Sequence, residues 1–158
     1  MERGNSKENL IKVVAAVIIN DEREEVLVAK RAKNASYPGK WEFIGGKVRA
    51  GESPEEALRR EMKEEVDIRV HVGRLLGFAE ADYRNRGRAS HRILFYSASI
   101  SDGEIKLDER IHQEIRWVTV TGLQALDFVA GDKKFAKRLA VSLAGTRGSV
   151  VEHRPERS

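Results

Sequence analysis

Cysteine is absent from this chain of 158 residues, and so is any apolar run near the length of a membrane span. Without cysteine the chain forms no disulfide bond and offers no thiolate ligand to a metal ion. The longest apolar stretch, Val13–Ile19, has the length of a strand, and the polar start MERGNSKENL lacks an apolar signal core. We therefore expect a cytoplasmic globular protein with one core and no membrane contact.

Charge is distributed unevenly along a chain whose net charge is +4. Between Glu52 and Asp67 there are seven acids and three bases, whereas the segment Arg84–Arg92 contains four arginines and one histidine. A second basic group consists of Lys133, Lys134, Lys137 and Arg138. An acidic segment inside a basic protein suggests a site where metal ions and an anionic ligand meet; solvated faces are the alternative.

The apolar patterns predict one domain, residues 1–144, and a polar, disordered tail, residues 145–158. Strands are predicted at Ile11–Ile19, from Val26, at Trp41–Ile44, Ile68–Phe78, Ile93–Ile100 and Ile115–Val120. Helices are predicted from Ser53 to about Val66, at Thr121–Phe128 and at Asp132–Leu143. Because strands and helices do not alternate regularly, the expected fold class is α+β, or an α/β/α sandwich around a mixed sheet.

The first predicted helix carries clear start signals. Ser53 is a suitable N-cap, Pro54 stands at the first helical position, and Glu56 completes a Ser-x-x-Glu capping box. At 100° per residue, Glu61, Glu64 and Glu65 share one arc beside the apolar seam formed by Leu58, Met62 and Val66.

Three carboxylates beside an apolar seam repel one another, and a hard divalent cation would relieve that repulsion. Ligands that are all carboxylates favour Mg²⁺, with Mn²⁺ as a substitute, over Zn²⁺. Arg60 lies one turn from Glu64 and can hold that carboxylate. The alternative is an ordinary amphipathic helix with a charged outer face.

The stretch Gly45–Ile68 resembles the signature box of the Nudix hydrolases of the MutT type. The matching positions are Gly46, Glu52, Arg60, Glu61, Met62, Glu64, Glu65 and Ile68. The likeness extends to the hairpin VVAAVIIN and VLVAKRA, the lead-in WEFIGGK and the late IRWV, so it covers roughly residues 10 to 142.

This resemblance implies an enzyme that cleaves a nucleoside diphosphate linked to a further group, with the fold of an α/β/α sandwich. It implies that Glu61, Glu64 and Glu65 bind the metal ions together with a backbone carbonyl at Gly45 or Gly46. Glu61 is the candidate to orient or deprotonate the attacking water. Glu52 and Arg60 would brace the loop and the helix.

Four positions depart from the family pattern. Asp67 replaces the glycine that ends the family helix, and it should tolerate the positive φ required there. Ile44 replaces a proline and Arg49 an acid. Ile111 stands where many relatives have a glutamate that assists the metals; Glu109 or Glu114 could substitute if the loop shifts.

Six positions are predicted to contact the substrate: Arg31, Glu42, Phe43, Ile44, Gly45 and Asp132. Arg31 aligns with an arginine that binds phosphate, which suits the guanidinium fork. Asp132 aligns with a residue that reads the base edge, and an N-cap of the last helix is its alternative role. Tyr83 and the Arg84–Arg92 hairpin would cover the mouth of the pocket.

The predicted function is therefore Mg²⁺-dependent hydrolysis of nucleoside triphosphates, with oxidised or cytosine nucleotides as possible substrates, to a nucleoside monophosphate and pyrophosphate. One alternative is another nucleoside-diphosphate substrate, such as ADP-ribose or a dinucleoside polyphosphate. A second is a non-catalytic nucleotide sensor, against which the intact Glu61, Glu64 and Glu65 argue. Nucleic-acid binding is not expected, because the Arg84–Arg92 segment lacks an aromatic platform beyond Tyr83. The sequence leaves monomer and homodimer open.

Overall fold

The computed structural model of the protein describes residues 10–151, and the side chains of residues 10–143. Within this part the strands are β1 Ile11–Asn20, β2 Glu25–Arg31, β3 Trp41–Glu42, β4 Gly45–Lys47, β5 Arg69–Ala81, β6 His91–Asp102 and β7 His112–Thr119. The α-helices are α1 Pro54–Val66 and α2 Ala130–Val151, and two 3₁₀ helices cover Arg84–Arg86 and Thr121–Ala125. No helix in the described range is long and apolar enough to cross a bilayer.

The seven strands form one mixed sheet with the order β3-β2-β1-β6-β5, to which β4 is added beside β1 and β7 beside β2. β1 and β6 are parallel, and the other pairs are antiparallel. β1 changes partner along its length: residues Val13–Ala15 pair with β4, whereas Ile19 and Asn20 pair with β2. The part of β1 that pairs with β4, Val13–Ala15, also lines the cavity of the candidate site.

β1 reads as a continuous apolar run because both of its faces are buried. Successive side chains of a strand point to opposite faces. Val14, Ala16 and Ile18 accordingly pack with Leu58, Met62 and Val66 of α1. Ala15 and Val17 pack on the other face, in the core that includes Phe95, Phe128, Phe135 and Leu139. Two cores on opposite faces of one sheet confirm the expected α/β/α sandwich.

Helix α1 has the boundaries that its sequence predicts. The side chain of Ser53 accepts a 3.1 Å hydrogen bond from the Glu56 amide, and the Glu56 carboxylate accepts a 3.1 Å bond from the Ser53 amide. At the other end, Asp67 has φ 57° and ψ 37°, the left-handed conformation that a family glycine would adopt. Its carboxylate is held by Lys63 at 2.6 Å. The predicted tolerance of Asp67 is confirmed.

The single strand predicted at Trp41–Ile44 is wrong, because two short strands meet there. β3 pairs with β2, and β4 pairs with β1. Between them, Phe43 and Ile44 turn to opposite faces: Phe43 joins the core under α2, and Ile44 joins the core under α1.

The last helix is longer than predicted, since it begins at Ala130 and continues to Val151. Residues 145–151, which the sequence assigns to a disordered tail, are therefore helical. The rest of that predicted tail, residues 152–158, lies outside the described residues.

Candidate active site

Arg60 connects helix α1 to the loop that precedes it. Its Nε and Nη2 each donate a 2.8 Å hydrogen bond to the Glu52 carboxylate, and Nη2 also donates to the Lys47 carbonyl at 3.0 Å. This pairing with Arg60, helped by the Arg49 amide, lowers the pKa of Glu52 to about 2. A guanidinium bound in this bidentate way fixes the loop against the helix, as the resemblance to the Nudix box implies.

The same guanidinium also holds two of the box carboxylates. Arg60 Nη1 lies 2.8 Å from Glu61 Oε1 and 3.2 Å from Glu64 Oε2. Glu61 is nearly buried, with 13% of its side chain exposed, whereas Glu64 is 49% exposed and also faces Arg49 at 3.7 Å. The Glu61 carboxylate is therefore fixed by its ion pair with Arg60, and the Glu64 carboxylate faces both Arg60 and Arg49.

The two glycines of β4 allow two close approaches. A Cβ at Gly46 would overlap the carboxylate of Glu61, and a Cβ at Gly45 would overlap the carbonyl oxygen of Val14 in β1. Glu61 can thus lie directly against the backbone of β4 only because residue 46 has no side chain.

Glu65 is largely buried, with 20% of its side chain exposed, and no lysine or arginine among the described residues forms an ion pair with it. Burial raises its pKa to about 9, and the neighbouring carboxylates of Glu42 and Glu61 add to that shift. The main cause is burial, so a charged Glu65 would need a compensating cation in this corner.

A small network lies beside Glu65. Glu42 accepts a 2.8 Å hydrogen bond from Arg31 on one oxygen and lies 3.2 Å from His112 Nε2 on the other. Arg31 also donates to the backbone and side-chain oxygens of Ser36 at 2.6 and 3.2 Å. The sequence predicts Arg31 and Glu42 but not His112, since a single histidine in a strand carries no spacing signal.

A cavity of about 790 Å³ opens beside this network. It extends from the β1–β4 pair to the start of α2, and two loops border it. The predicted residues that line it are Arg31, Glu42, Phe43, Gly45, Gly46, Glu65, Tyr83 and Asp132. Basic side chains that line it are Lys47, Arg88 and Arg110.

Asp132 lies deep in this cavity and is 4% exposed. Its Oδ2 accepts a 2.8 Å hydrogen bond from the Phe43 amide. Burial, together with the charge of Glu42, raises its pKa to about 8. Because α2 begins at Ala130, Asp132 belongs to the first turn of the helix. The N-cap alternative is therefore wrong.

Two further expectations need correction. The side chain of Ile44 is 1% exposed in the core under α1 and does not line the cavity. Ile111 does line the cavity. Neither proposed substitute reaches it: Glu114 pairs with Arg116 at 2.6 Å, and Glu109 is exposed outside the cavity lining.

The predicted metal ligands are only partly brought together. Among the described residues, no three Asp, Glu or His side chains are arranged so that they could share one metal ion. Glu61 and Glu65 face the region of β4, but Glu64 is turned to Arg60 and Arg49. The donor set nevertheless fits a hard divalent cation, because its ligand atoms are oxygens and the carboxylates of Glu61 and Glu65 both lie beside β4.

A braced acidic helix thus lies beside a cavity that Arg31, Lys47 and Arg88 also line, an arrangement that suits an anionic ligand. Comparison with known proteins identifies the family. A family model described as NUDIX domain matches residues 10–139. The chain is 33% identical over 127 residues to an 8-oxo-dGTP diphosphatase of Escherichia coli (strain K12), covering 80% of this chain and 94% of that one.

A second relative and a solved structure support the same family. A CTP pyrophosphohydrolase of the same organism is 34% identical over 108 residues, covering 68% of this chain and 75% of that one. The crystal structure of a MutT protein from Methanosarcina mazei Go1 has a TM-score of 0.74 at 25% identity, covering 86% of this chain and 96% of that chain.

The chain therefore belongs to the NUDIX family. It is a hydrolase that acts on phosphoanhydride bonds. Nudix hydrolases in general use divalent metal ions such as Mg²⁺.

Proposed function

We propose that this protein is a Mg²⁺-dependent pyrophosphohydrolase of nucleoside triphosphates, including oxidised purine or cytosine nucleotides. Water adds to one phosphorus, one phosphoanhydride bond breaks, and the products are a nucleoside monophosphate and pyrophosphate. The relatives named for 8-oxo-dGTP and CTP support this substrate class. The observation that carries it is the cavity, which joins the acidic helix to a buried carboxyl group suited to a base edge.

The residues that would hold Mg²⁺, or Mn²⁺ in its place, are Glu61, Glu64 and Glu65, with the carbonyl of Gly45 or Gly46. A bound divalent ion would neutralise phosphate charge and lower the pKa of water. Arg60 and Glu52 keep the loop and helix in register, and they place Glu61 against Gly46. Glu61 is our candidate to orient the attacking water.

Phosphate recognition requires cations that are not already neutralised. Arg31 is engaged by Glu42 and Ser36, so its guanidinium must be shared with or released to the substrate. Lys47 and Arg88 line the same cavity, and neither forms an ion pair with a residue in the described part of the chain. We assign them to the substrate's phosphate groups, together with Arg31.

Base recognition falls to Asp132 and Phe43. One oxygen of Asp132 is occupied by the Phe43 amide. Since its pKa is raised to about 8, Asp132 is mostly protonated at neutral pH and offers the base an O–H donor. Phe43 is 3% exposed and contributes an apolar wall.

The test is a substrate panel with Mg²⁺ or Mn²⁺, followed by separation of phosphate-containing products. The panel contains 8-oxo-dGTP, dGTP, CTP, ADP-ribose and a dinucleoside polyphosphate. A nucleoside monophosphate and pyrophosphate from the triphosphates is the expected result. Faster hydrolysis of ADP-ribose would move the assignment to another nucleoside-diphosphate substrate. Binding without turnover of any compound would indicate a sensor.

Variants connect the turnover to the acidic helix. Glu61→Gln and Glu65→Gln should each lower kcat by about 100-fold or more, because each removes a charged ligand. Glu104→Gln is the matched control, since Glu104 is exposed and has no partner among the described residues. Near-normal kcat in both Glu61→Gln and Glu65→Gln would overturn the mechanism.

A further inference from the structure

His112 is buried beside the acidic corner by a local irregularity of the sheet. It is 1% exposed and is one of two buried polar or charged residues in the described part of the chain. Lys30 pairs with Glu114, but Arg31 pairs with His112, so Gln113 is an extra residue in β7. Gln113 donates a 2.9 Å hydrogen bond to the Arg31 carbonyl. Bulges of this kind re-aim a side chain, and they are frequent beside active sites.

The re-aimed imidazole lies between two carboxylates. His112 Nε2 is 3.2 Å from Glu42 Oε1 and 3.9 Å from Glu65 Oε2. The other ring nitrogen, Nδ1, is buried and has no hydrogen-bond partner among the described residues. Burying an unpaired nitrogen lone pair costs less free energy than burying an N–H group that has no acceptor. In the neutral ring the lone pair is therefore on Nδ1 and the proton is on Nε2. His112 therefore donates to Glu42.

This donor gives Glu42 a fixed orientation. Arg31 holds Glu42 Oε2 at 2.8 Å from the cavity side, and His112 holds Oε1 from the core side. Without His112, Glu42 would keep only the bond to Arg31 among these two, and its carboxylate could rotate. That rotation would matter because the Glu42 carboxylate is a negatively charged neighbour of Glu65. The position of the Glu65 carboxylate thus depends on the orientation of the Glu42 carboxylate.

We propose that His112 is a positioning residue that fixes Glu42 and thereby sets Glu65 for metal binding. The proposal rests on the proposed function, in which Glu65 is a metal ligand. Hydrogen-bonding partners of metal ligands typically contribute 10–100-fold to metal affinity. His112 would act one step further back, since it bonds Glu42 at 3.2 Å and lies 3.9 Å from Glu65. The competing role for His112 is to fill space at the bulge, which would require its volume but not its Nε2–H.

Two substitutions separate these roles. His112→Phe keeps the ring and removes the donor. His112→Gln places an amide donor at a reach similar to that of Nε2 and restores the bond to Glu42. His71→Phe is the matched control, because His71 is an exposed histidine of β5 whose side chain has no hydrogen-bond or ion-pair partner among the described residues.

The first readout is Mn²⁺ affinity, measured on the full chain by the electron paramagnetic resonance signal of free Mn²⁺. His112→Phe should weaken binding about 10-fold or more, while His112→Gln and His71→Phe stay within about twofold of the unaltered protein. The second readout is the split between kcat and KM: His112→Phe should lower kcat at saturating Mg²⁺ more than it raises KM for the triphosphate. Unchanged Mn²⁺ affinity in a folded His112→Phe would overturn the proposal.

If His112→Phe does not fold, His112→Asn answers the same question, because its shorter amide falls short of Glu42. Weaker Mn²⁺ binding by His112→Asn than by His112→Gln supports the proposal, and equal binding overturns it. Failure of the proposed function has a different result: Glu65→Gln itself would then leave Mn²⁺ affinity unchanged. If Glu65→Gln weakens binding but His112→Phe does not, only the role of His112 is wrong.

Discussion

The amide of Phe43 donates a 2.8 Å hydrogen bond to Oδ2 of Asp132, a residue 89 positions later in the chain. This bond occupies the backbone donor at the point where β3 ends and before β4 begins. It also fastens the first turn of α2 to the wall of the cavity. One carboxyl group therefore shapes the turn between two strands and presents its second oxygen toward the proposed substrate pocket.

The protonation of Asp132 makes stability depend on pH. Because its folded-state pKa is raised from 3.8 to about 8, the folded protein retains a proton that the unfolded chain releases. The contribution of this group is fully present below about pH 4 and is lost as pH rises through about 8. Asp132→Asn keeps an oxygen acceptor for Phe43 and has no charge to bury.

Asp132→Asn should therefore come close to the unaltered protein at pH 4 and exceed its Tm at pH 9 by about 3 °C or more, as expected for roughly 1 kcal/mol in a domain of this size. Thermal unfolding followed by circular dichroism across pH 4 to 9 measures the difference. A constant gap between the two proteins over that range would show that Asp132 does not titrate there.

The same side chain should control base preference. Asp132→Ala removes one hydrogen bond to the base edge, which is worth roughly 1–3 kcal/mol of discrimination. The ratio of kcat/KM between the best and a poor triphosphate should therefore fall by about tenfold or more, with less change for the poor substrate. Asp132→Ser should not restore the preference, because the residue is not an N-cap. An unchanged ratio would assign base recognition elsewhere.

Local signals were sufficient to predict helix α1 and its side chains. The capping box, the apolar seam and the left-handed Asp67 all depend on residues within a few positions of one another. The strands at Ile11, Val26 and Ile93 were likewise visible as apolar runs. These features are encoded locally, so the residues alone located the acidic helix. Its brace, Arg60 with Glu52, was instead implied by the resemblance to the Nudix box.

Long-range contacts decided the rest. Phe43 and Ile44 read as one strand, but pairing of β3 with β2 and of β4 with β1 separates them to opposite faces. His112 contacts Glu42, which is 70 positions earlier in the chain, and the contact depends on a β-bulge that no local sequence pattern predicts. The orientation of Glu64 also could not be predicted, since Arg49 competes for it from the preceding loop.

The difference between Glu64 and Glu65 gives a prediction for the protein without metal. Burial and the charge of Glu42 raise the pKa of Glu65, which means that its charged form is unfavourable in the folded protein. Glu65→Gln removes that charge and should therefore raise the metal-free Tm by a few degrees. Glu64 is half exposed and faces two arginines, so Glu64→Gln should change stability by less than about 0.5 kcal/mol.

Added Mg²⁺ should raise the Tm of the unaltered protein by linkage and have much less effect on Glu65→Gln. Differential scanning fluorimetry with and without Mg²⁺ makes both comparisons. A Glu65→Gln variant that is less stable than the unaltered protein without metal would show that the Glu65 carboxylate has a structural partner instead of a repulsive one.

The two glycines of β4 should fail in different ways when replaced by alanine. A Cβ at Gly45 would meet the Val14 carbonyl, a backbone atom that can move only if the β1–β4 pairing opens. Gly45→Ala should therefore cost about 1–3 kcal/mol of stability, as overlaps in a buried core do. A Cβ at Gly46 would meet the end of the Glu61 side chain, which can rotate away from Arg60. Gly46→Ala should therefore leave the Tm nearly unchanged but lower kcat by about 100-fold, because a shift of about 1 Å in a reacting group costs that much.

Gly51→Ala is a useful third variant, since its Cβ meets nothing within 4 Å and the substitution is disfavoured only by the backbone φ of 79°. Urea unfolding and steady-state kinetics on the three proteins separate the effects. Equal losses of stability at positions 45 and 46 would mean that Glu61 is rigidly held, and near-normal turnover in a stable Gly46→Ala would mean that its contact with β4 has no part in the reaction.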